Sequence, residues 1–345
     1  MRYLFVVGHP AHVHLFKNVM RTLSGRGHEV FAAAVRKELT TALLEALGIH
    51  HAVLGGNQRT LVTKAMGLFP KEIALLKVAR DFQPDVLIST GSPYAAHVSA
   101  LLDKPHLAFG DTENASLTAR ITIPFTDALY TPDCFEGSLG PKHRKYRGYK
   151  ELAYLHPKYF RPNRDSLRIA GLSESEPYLV VRLASWDASH DIRDRGFSFR
   201  GGQDRLSFFK DLERLGRVVL TSEEPLGPPL SEYTISLRPE LMHDVLAFAE
   251  MYIGEGATMA AEAGVLGVPW FFVSTTGRGF LADQQRSYGL GFWVRNRAEL
   301  VKAIAQLPRR DLRAEWMSKR ERMLADKEDV VSFISHAIET WPLPP

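Results

Sequence analysis

The residues with the clearest chemical potential lie in Gly254-Glu255-Gly256-Ala257-Thr258-Met259, followed by Ala260-Ala261-Glu262-Ala263. The segment follows an apolar strand signal and opens a helix signal. Two glycines at such a turn let the backbone approach a ligand closely, and the helix start presents unpaired N–H groups. Those groups and the helix dipole suit a diphosphate. Thr258 can cap the helix and donate to a phosphate oxygen. Glu262 comes four residues, about one turn, later and can accept from two vicinal hydroxyls of a ribose. Glycine-rich turns also occur in α/β proteins without any ligand. A glutamate on an otherwise apolar helix is harder to explain that way, because an unpaired buried charge is costly.

A second group is Gly8-His9-Pro10-Ala11-His12-Val13-His14. It leaves the first strand signal, and in a doubly wound sheet such a loop sits at the carboxyl edge, where ligands bind. A neutral imidazole at His12 suits general-base work on a hydroxyl. His14, two residues on, points elsewhere and is a candidate for packing, for phosphate binding or for the acceptor side. No carboxylate accompanies the three histidines at ligand spacing, so no metal site is expected. Gly91-Ser92-Pro93-Tyr94 and Gly110-Asp111-Thr112-Glu113-Asn114 each follow a further strand signal. Ser92 and Tyr94 are acceptor-side candidates. Asp111 and Glu113 alternate in position, so one can serve as a base or acceptor-orienting carboxylate while the other caps a helix. Arg182 leaves a strand and can neutralise a diphosphate with its fork of donors. Asp283-Gln284 combines an acceptor with a donor, as sugar hydroxyls require. The charged run Trp186–Arg205 reads as a solvated loop, with Gly196, Gly201 and Gly202 as candidate hinges.

These groups need scaffolds, and strand and helix signals alternate twice along the chain. The first series runs through Tyr3–Val7, Glu29–Val35, Val86–Ser89, His106–Phe109 and Ala128–Tyr130, with helices between. The second runs through Tyr178–Leu183, Arg217–Thr221, Met251–Ile253 and Pro269–Val273. Such alternation predicts mostly parallel sheets with helices on both faces. Pro157 and Pro162 punctuate Tyr154–Asn163, which reads as the connection between two domains. The expected division is 1–163 and 164–345, with the last helix a candidate to pack back on the N-terminal domain. A length of 345 residues suits two cores. Apolar content of 45% and charged content of 24% argue against extensive disorder. A net charge of +4 and the lack of a basic-aromatic array argue against nucleic acid. One cysteine, Cys134, makes neither an internal disulfide nor a thiolate metal site. No spanning segment or secretory signal is expected, so the default location is cytoplasmic.

The stretch Gly254–Pro269 resembles the nucleotide-sugar motif of GT-B glycosyltransferases and of nucleotide-sugar 2-epimerases, in which the turn holds the diphosphate and the helix glutamate holds the ribose. More closely, His9–His14, Asp111-Thr112-Glu113 and Gly254–Met259 with Glu262-Ala263 resemble the domain of unknown function 354 family over nearly the whole chain. The resemblance implies a GT-B type α/β fold, two Rossmann-like domains facing each other across a cleft. His12 precedes Gly27 by fifteen residues, similar to the spacing from the loop histidine to the helix-ending glycine in GT-B enzymes. In some of those enzymes that histidine is the general base. Asp283 with Gln284 matches, in spacing, a pair that grips sugar hydroxyls there. The epimerases rely on several carboxylates and on a histidine after the first strand of the second domain. Here that strand runs Val180–Trp186 without a histidine, and Gly91-Ser92 replaces an early carboxylate.

The expected function is therefore transfer of a sugar from a nucleotide-diphosphate sugar to a hydroxyl acceptor, in surface polysaccharide or glycolipid synthesis, with no obligatory cofactor. Catalytic candidates are His12, Asp111 and Glu113. Donor candidates are Arg182, Gly254, Glu255, Gly256, Ala257, Thr258, Met259, Glu262, Asp283 and Gln284. Alternatives are a nucleotide-sugar epimerase or hydrolase, and a non-catalytic nucleotide-sugar binder. The acceptor is expected to be lipid-linked or a polysaccharide. Basic and apolar residues over Thr60–Arg80, among them Lys71, Lys77, Phe69 and Ile73, make peripheral contact with the inner membrane surface a further expectation. An ordinary amphipathic surface helix is the alternative there.

Overall fold

The computed structural model describes residues 1–36, 38–56, 68–111, 116–183, 196–222, 226–235, 237–308 and 310–342. The chain divides into two compact units, Met1–Tyr159 with Lys327–Pro345, and Phe160–Asp326. The change of unit falls within the proline-punctuated segment, and the C-terminal residues from Lys327 on group with the first unit.

In the first unit, β1 (Arg2–Val7), β2 (Glu29–Arg36), β3 (His51–Gly56), β4 (Val86–Ser89), β5 (His106–Phe109), β6 (Ala128–Pro132) and β7 (His143–Tyr146) form a sheet in the order β3-β2-β1-β4-β5-β6-β7. In the second, β8 (Tyr178–Leu183), β9 (Arg217–Ser222), β10 (Met251–Gly254), β11 (Trp270–Val273) and β12 (Gly291–Val294) are ordered β12-β11-β10-β8-β9. Every pairing among these strands is parallel. Parallel strands covered on both faces need continuous apolar runs, and β1, β4, β8, β10 and β11 supply them. In the first unit Leu4, Val6, Leu87, Leu75 and Val98 pack into one core. In the second, Leu179, Val181, Ile253, Phe271, Phe209 and Leu220 do so.

The strand order reverses between β1 and β4 in the first sheet and between β8 and β10 in the second. At such a reversal the loops leave in opposite directions and open a crevice at the carboxyl edge, where ligands of open α/β sheets bind. The topology thus singles out two places. The helix Val330–Glu339 closes the first unit by burying Val330, Val331, Ile334 and Ile338. Its Asp329 cap also accepts from Lys158 Nζ at 2.6 Å and Tyr159 Oη at 2.7 Å. No helix of the described residues is long and apolar enough to cross a membrane.

Candidate functional site

In the second unit, Gly254 ends β10 in register with Arg182 of β8. These two strands flank the reversal. A Cβ at Gly254 would stand 2.5 Å from the Tyr252 hydroxyl and 2.8 Å from the Arg182 carbonyl, and one at Gly256 would stand 3.1 Å from the same hydroxyl. The glycines are thus demanded by Tyr252, whose fully buried ring sits under the bend and whose hydroxyl donates to the Gly256 carbonyl at 2.9 Å. Burial raises the Tyr252 pKa far above that of a free phenol, so the hydroxyl remains a donor. Gly256 caps the helix Ala257–Leu266 and no side chain does so. Thr258 therefore does not cap the helix, contrary to the sequence expectation; its place in the first turn leaves the cap to Gly256. Glu255, Gly256, Ala257, Thr258 and Met259 all keep partial exposure, so the bend can be approached from solvent.

Glu255 has a second duty. Its Oε1 accepts from the Phe197 amide at 2.8 Å, and Gly196 lies so close that a Cβ would fall 1.9 Å from that oxygen. Gly196 thus packs closely on Glu255, and Phe197 beyond it stacks on Phe199. Residues 184–195 of the charged run lie outside the described residues. Glu262 is 7% exposed, and its Oε1 lies 3.2 Å from His243 Nε2. His243, on the helix Met242–Ala247, is itself buried, with the Phe160 ring edge-on to it at 6.1 Å. Sequence reasoning passed over His243; its one signal is a polar pair, His243-Asp244, inside a short apolar helix.

Gln284 requires a correction. It is fully buried, accepts from Trp270 Nε1 at 3.0 Å and donates to the Ala261 carbonyl at 3.2 Å. Gly264 leaves the room for this amide, because a Cβ there would overlap Gln284 Oε1. Gln284 thus satisfies a buried indole and does not reach a sugar together with Asp283. The half-buried Asp283 accepts from Ser287 Oγ at 2.7 Å. A cation that the sequence reading omitted stands on the loop after β11, the neighbour of β10. Arg278 donates to Thr276 Oγ1 and to the Gly277 carbonyl, both at 2.9 Å.

At the first unit's reversal, the three loop histidines do three different things. His9 caps the helix Pro10–Gly25 by accepting from the Ala11 amide. His12 Nδ1 accepts from the Gly8 amide at 3.2 Å, and Thr90 Oγ1, just past β4, lies 3.1 Å from both ring nitrogens. His14 packs against Tyr154, with ring centroids 5.2 Å apart. An Nδ1 that accepts leaves the proton of a neutral ring on Nε2, so His12 in this arrangement is a donor.

Behind these groups runs a buried relay. Ser89 Oγ accepts from the Gly91 and Ser92 amides, both at 3.0 Å, and lies 2.8 Å from His106 Nε2. Its proton therefore goes to Nε2, which places the His106 proton on Nδ1, 3.0 Å from Thr126 Oγ1. Thr126 in turn donates to the Thr122 carbonyl. Full burial lowers the His106 pKa to about 3, so the ring is neutral and the relay holds the β4 loop in one shape. On that loop Ser92 caps the helix Pro93–Leu101. Tyr94 brings its hydroxyl against Gly8, where a Cβ would lie 3.2 Å away, and burial raises its pKa. Gly8, His12, Thr90 and Tyr94 thus come together. Asp111, after β5, has its Oδ2 2.5 Å from Lys150 Nζ, and Glu151, 1% exposed, lies 3.9 Å from the same ammonium. Sequence reasoning did not mark Lys150. Thr112, Glu113 and Asn114 lie outside the described residues.

A groove of about 690 Å³ opens at the opposite, amino edge of the first sheet, lined by Arg2, Glu29, Arg80, Asp85 and Lys104 among others. None of the catalytic, donor or acceptor-side candidates lines it, and carboxyl-edge crevices are where such sheets bind ligands.

Two units, each built on a parallel sheet with its polar loops and glycine bend at the strand-order reversal, define an α/β protein of GT-B type. Solved structures agree. UDP-GlcNAc 2-epimerase of Methanocaldococcus jannaschii, in complex with UDP-GlcNAc and UDP, superposes with a TM-score of 0.68 at 14% identity, covering 99% of this chain and 100% of that one. The Neisseria meningitidis UDP-GlcNAc 2-epimerase bound to UDP-GlcNAc gives 0.66 at 12% identity, with 98% of each chain covered. A Streptomyces sp. SF2575 glycosyltransferase, SsfS6, complexed with thymidine diphosphate, gives 0.62 at 17% identity, with 99% of each covered. The chain belongs to the family described as protein of unknown function (DUF354), which matches residues 5–194. An uncharacterized protein of M. jannaschii is 21% identical over 274 residues, 75% of this chain and 77% of that one.

Proposed function

We propose that the protein is a glycosyltransferase that moves a sugar from a nucleotide-diphosphate sugar to a hydroxyl acceptor, lipid-linked or polysaccharide. The observation that carries this reading is the Gly254–Arg182 register pair beside a helix start that no side chain caps. Backbone amides there donate to the diphosphate, and Arg182, with Arg278 as a further cation, offsets its charge as it leaves. Glu262, oriented by His243, receives the ribose hydroxyls. No cofactor is required by this chemistry.

The first unit holds the acceptor, with Ser92, Tyr94 and His14 as acceptor-side residues. His12 can take the acceptor proton on Nε2 only when its own proton sits on Nδ1, so substrate must displace the Gly8 contact. Asp111 is the other candidate base, and Lys150 must then move off Oδ2. Glu113 remains a candidate on sequence grounds. Activity at the cytoplasmic face of the inner membrane is part of the same proposal.

Titration calorimetry with uridine, thymidine, guanosine and cytidine diphosphates tests the donor site. One of them is expected to bind, and Arg182→Ala and Glu262→Ala are each expected to weaken it roughly tenfold or more. No binding by any of the four would end the reading. The epimerase alternative gains from the higher TM-scores, 0.68 and 0.66 against 0.62. Incubation with a labelled nucleotide sugar and no acceptor separates the two, since rapid acceptor-free turnover belongs to an epimerase or hydrolase.

A further inference from the structure

The first unit carries large apolar side chains on its outer surface that its core does not use. Phe69 and Ile73, on the helix Leu68–Phe82, are 67% and 53% exposed, and Ile121 and Phe125 are 41% and 45% exposed. His97, on the helix Pro93–Leu101, joins these two pairs. Its Nδ1 lies 2.6 Å from Glu72 Oε1, its Nε2 2.9 Å from the Ile121 carbonyl, and its ring is edge-on to Phe125 with centroids 4.9 Å apart. Glu72 sits three residues after Phe69 and directly before Ile73, so all three share one face of their helix. The two apolar pairs are therefore linked through one polar contact, Glu72 with His97.

Cations border this surface. Lys77 and Arg80, both exposed, follow Ile73 by four and seven residues on the same helical face. Arg120 and Lys142 are exposed on the other side, where Lys142 Nζ donates to the Pro124 carbonyl at 3.4 Å. The helix bearing Phe69 ends beside the start of β4, so its first turn lies toward the carboxyl edge that holds His12 and Tyr94. His97 stands four residues past Pro93, about 6 Å along the helix that Ser92 caps.

We propose that this face docks on an anionic bilayer surface. Phe69, Ile73, Ile121 and Phe125 enter the headgroup boundary, and Lys77, Arg80, Arg120 and Lys142 meet lipid phosphates. A second copy of the chain is a poorer occupant, because a two-fold contact through this face would set its cationic border against itself. Docking of this kind requires no nucleotide. It would also bring the acceptor-side loops close to a lipid-linked hydroxyl.

The test is co-sedimentation of the intact chain with vesicles of phosphatidylcholine containing about one-third phosphatidylglycerol, against phosphatidylcholine alone. The wild type is expected to pellet with the anionic vesicles and to be released by high salt. Phe69→Ser with Ile73→Ser should weaken binding roughly tenfold or more, and Lys77→Glu with Arg80→Glu should abolish the preference for phosphatidylglycerol. Thermal unfolding of both variants should match the wild type. The proposal is overturned if the wild type stays in the supernatant or if the serine variant pellets like the wild type. It is equally overturned if ultracentrifugation shows a dimer that the serine substitutions dissolve.

Discussion

The two carboxyl edges meet the same geometric demand with different materials. In the second unit the bend is set by shape: glycines over a buried tyrosine, at a helix start that no side chain caps. In the first unit the loops are set by side-chain polarity, with Ser89, His106 and Thr126 in one relay and His12 and Thr90 in another contact. A cradle of amides suits a ligand part that never varies, such as a diphosphate, since its geometry cannot adjust. Side-chain hydrogen bonds can be exchanged for those of a ligand, which suits a hydroxyl acceptor that must lose a proton.

If that contrast is right, the shape-built edge should fail abruptly. Gly254→Ala adds one carbon 2.5 Å from the Tyr252 hydroxyl and 2.8 Å from a backbone oxygen, and Tyr252 is fully buried. The expected loss is about 2–3 kcal/mol in urea unfolding, with diphosphate binding abolished. Tyr252→Phe in the same chain removes one of the two clashing oxygens and should restore part of the stability. An alanine variant as stable as the wild type would show that the bend is not held by this contact.

The polar edge should instead respond to pH. His106 titrates near 6.5 in an unfolded chain, but burial holds it at about 3 in the folded protein. Its contribution is therefore complete above pH ~6.5 and is lost as pH falls toward 3, because the unfolded chain takes up a proton that the folded chain refuses, at up to about 1.4 kcal/mol per pH unit. His106→Leu should remove that slope from denaturation curves between pH 6 and 4. It should also cost about 1–3 kcal/mol at pH 7, as Ser89 and Thr126 lose their partner. An unchanged slope in the leucine variant would mean that the relay is not what makes this edge acid-sensitive.

The sequence made the central strands legible and the borders less so. β1, β4, β5, β8 and β11 are short apolar runs ended by glycine or polar residues, and period and composition mark them directly. The strands that the sequence does not mark, β3, β7 and β12, all lie at sheet borders. There β7, His143-Arg144-Lys145-Tyr146, has half its positions exposed and no apolar run to read. In the site, glycines and the loop histidines were readable because their types are unusual where they stand. Lys150, His243 and Arg278 were not, since their significance depends on partners from distant parts of the chain. Gln284 misled for the same reason: a glutamine beside an aspartate reads as polar surface until Trp270 is seen to need its oxygen.

The finest distinction between the two edges concerns one proton. The Gly8 amide donates to His12 Nδ1 at 3.2 Å, which fixes the neutral ring as the Nε2–H form. A ring so fixed can orient an acceptor oxygen but cannot take its proton until the amide lets go. Nitrogen NMR of the ligand-free protein should therefore find His12 protonated on Nε2. Thr90→Val should leave that tautomer in place, since Gly8 rather than Thr90 sets it, and should lower stability by only about 0.5–1.5 kcal/mol. If His12 instead carries its proton on Nδ1 before any ligand arrives, the first edge is preset for base catalysis. The contrast between an edge set by shape and an edge set by side-chain hydrogen bonds would then fail at its most important residue.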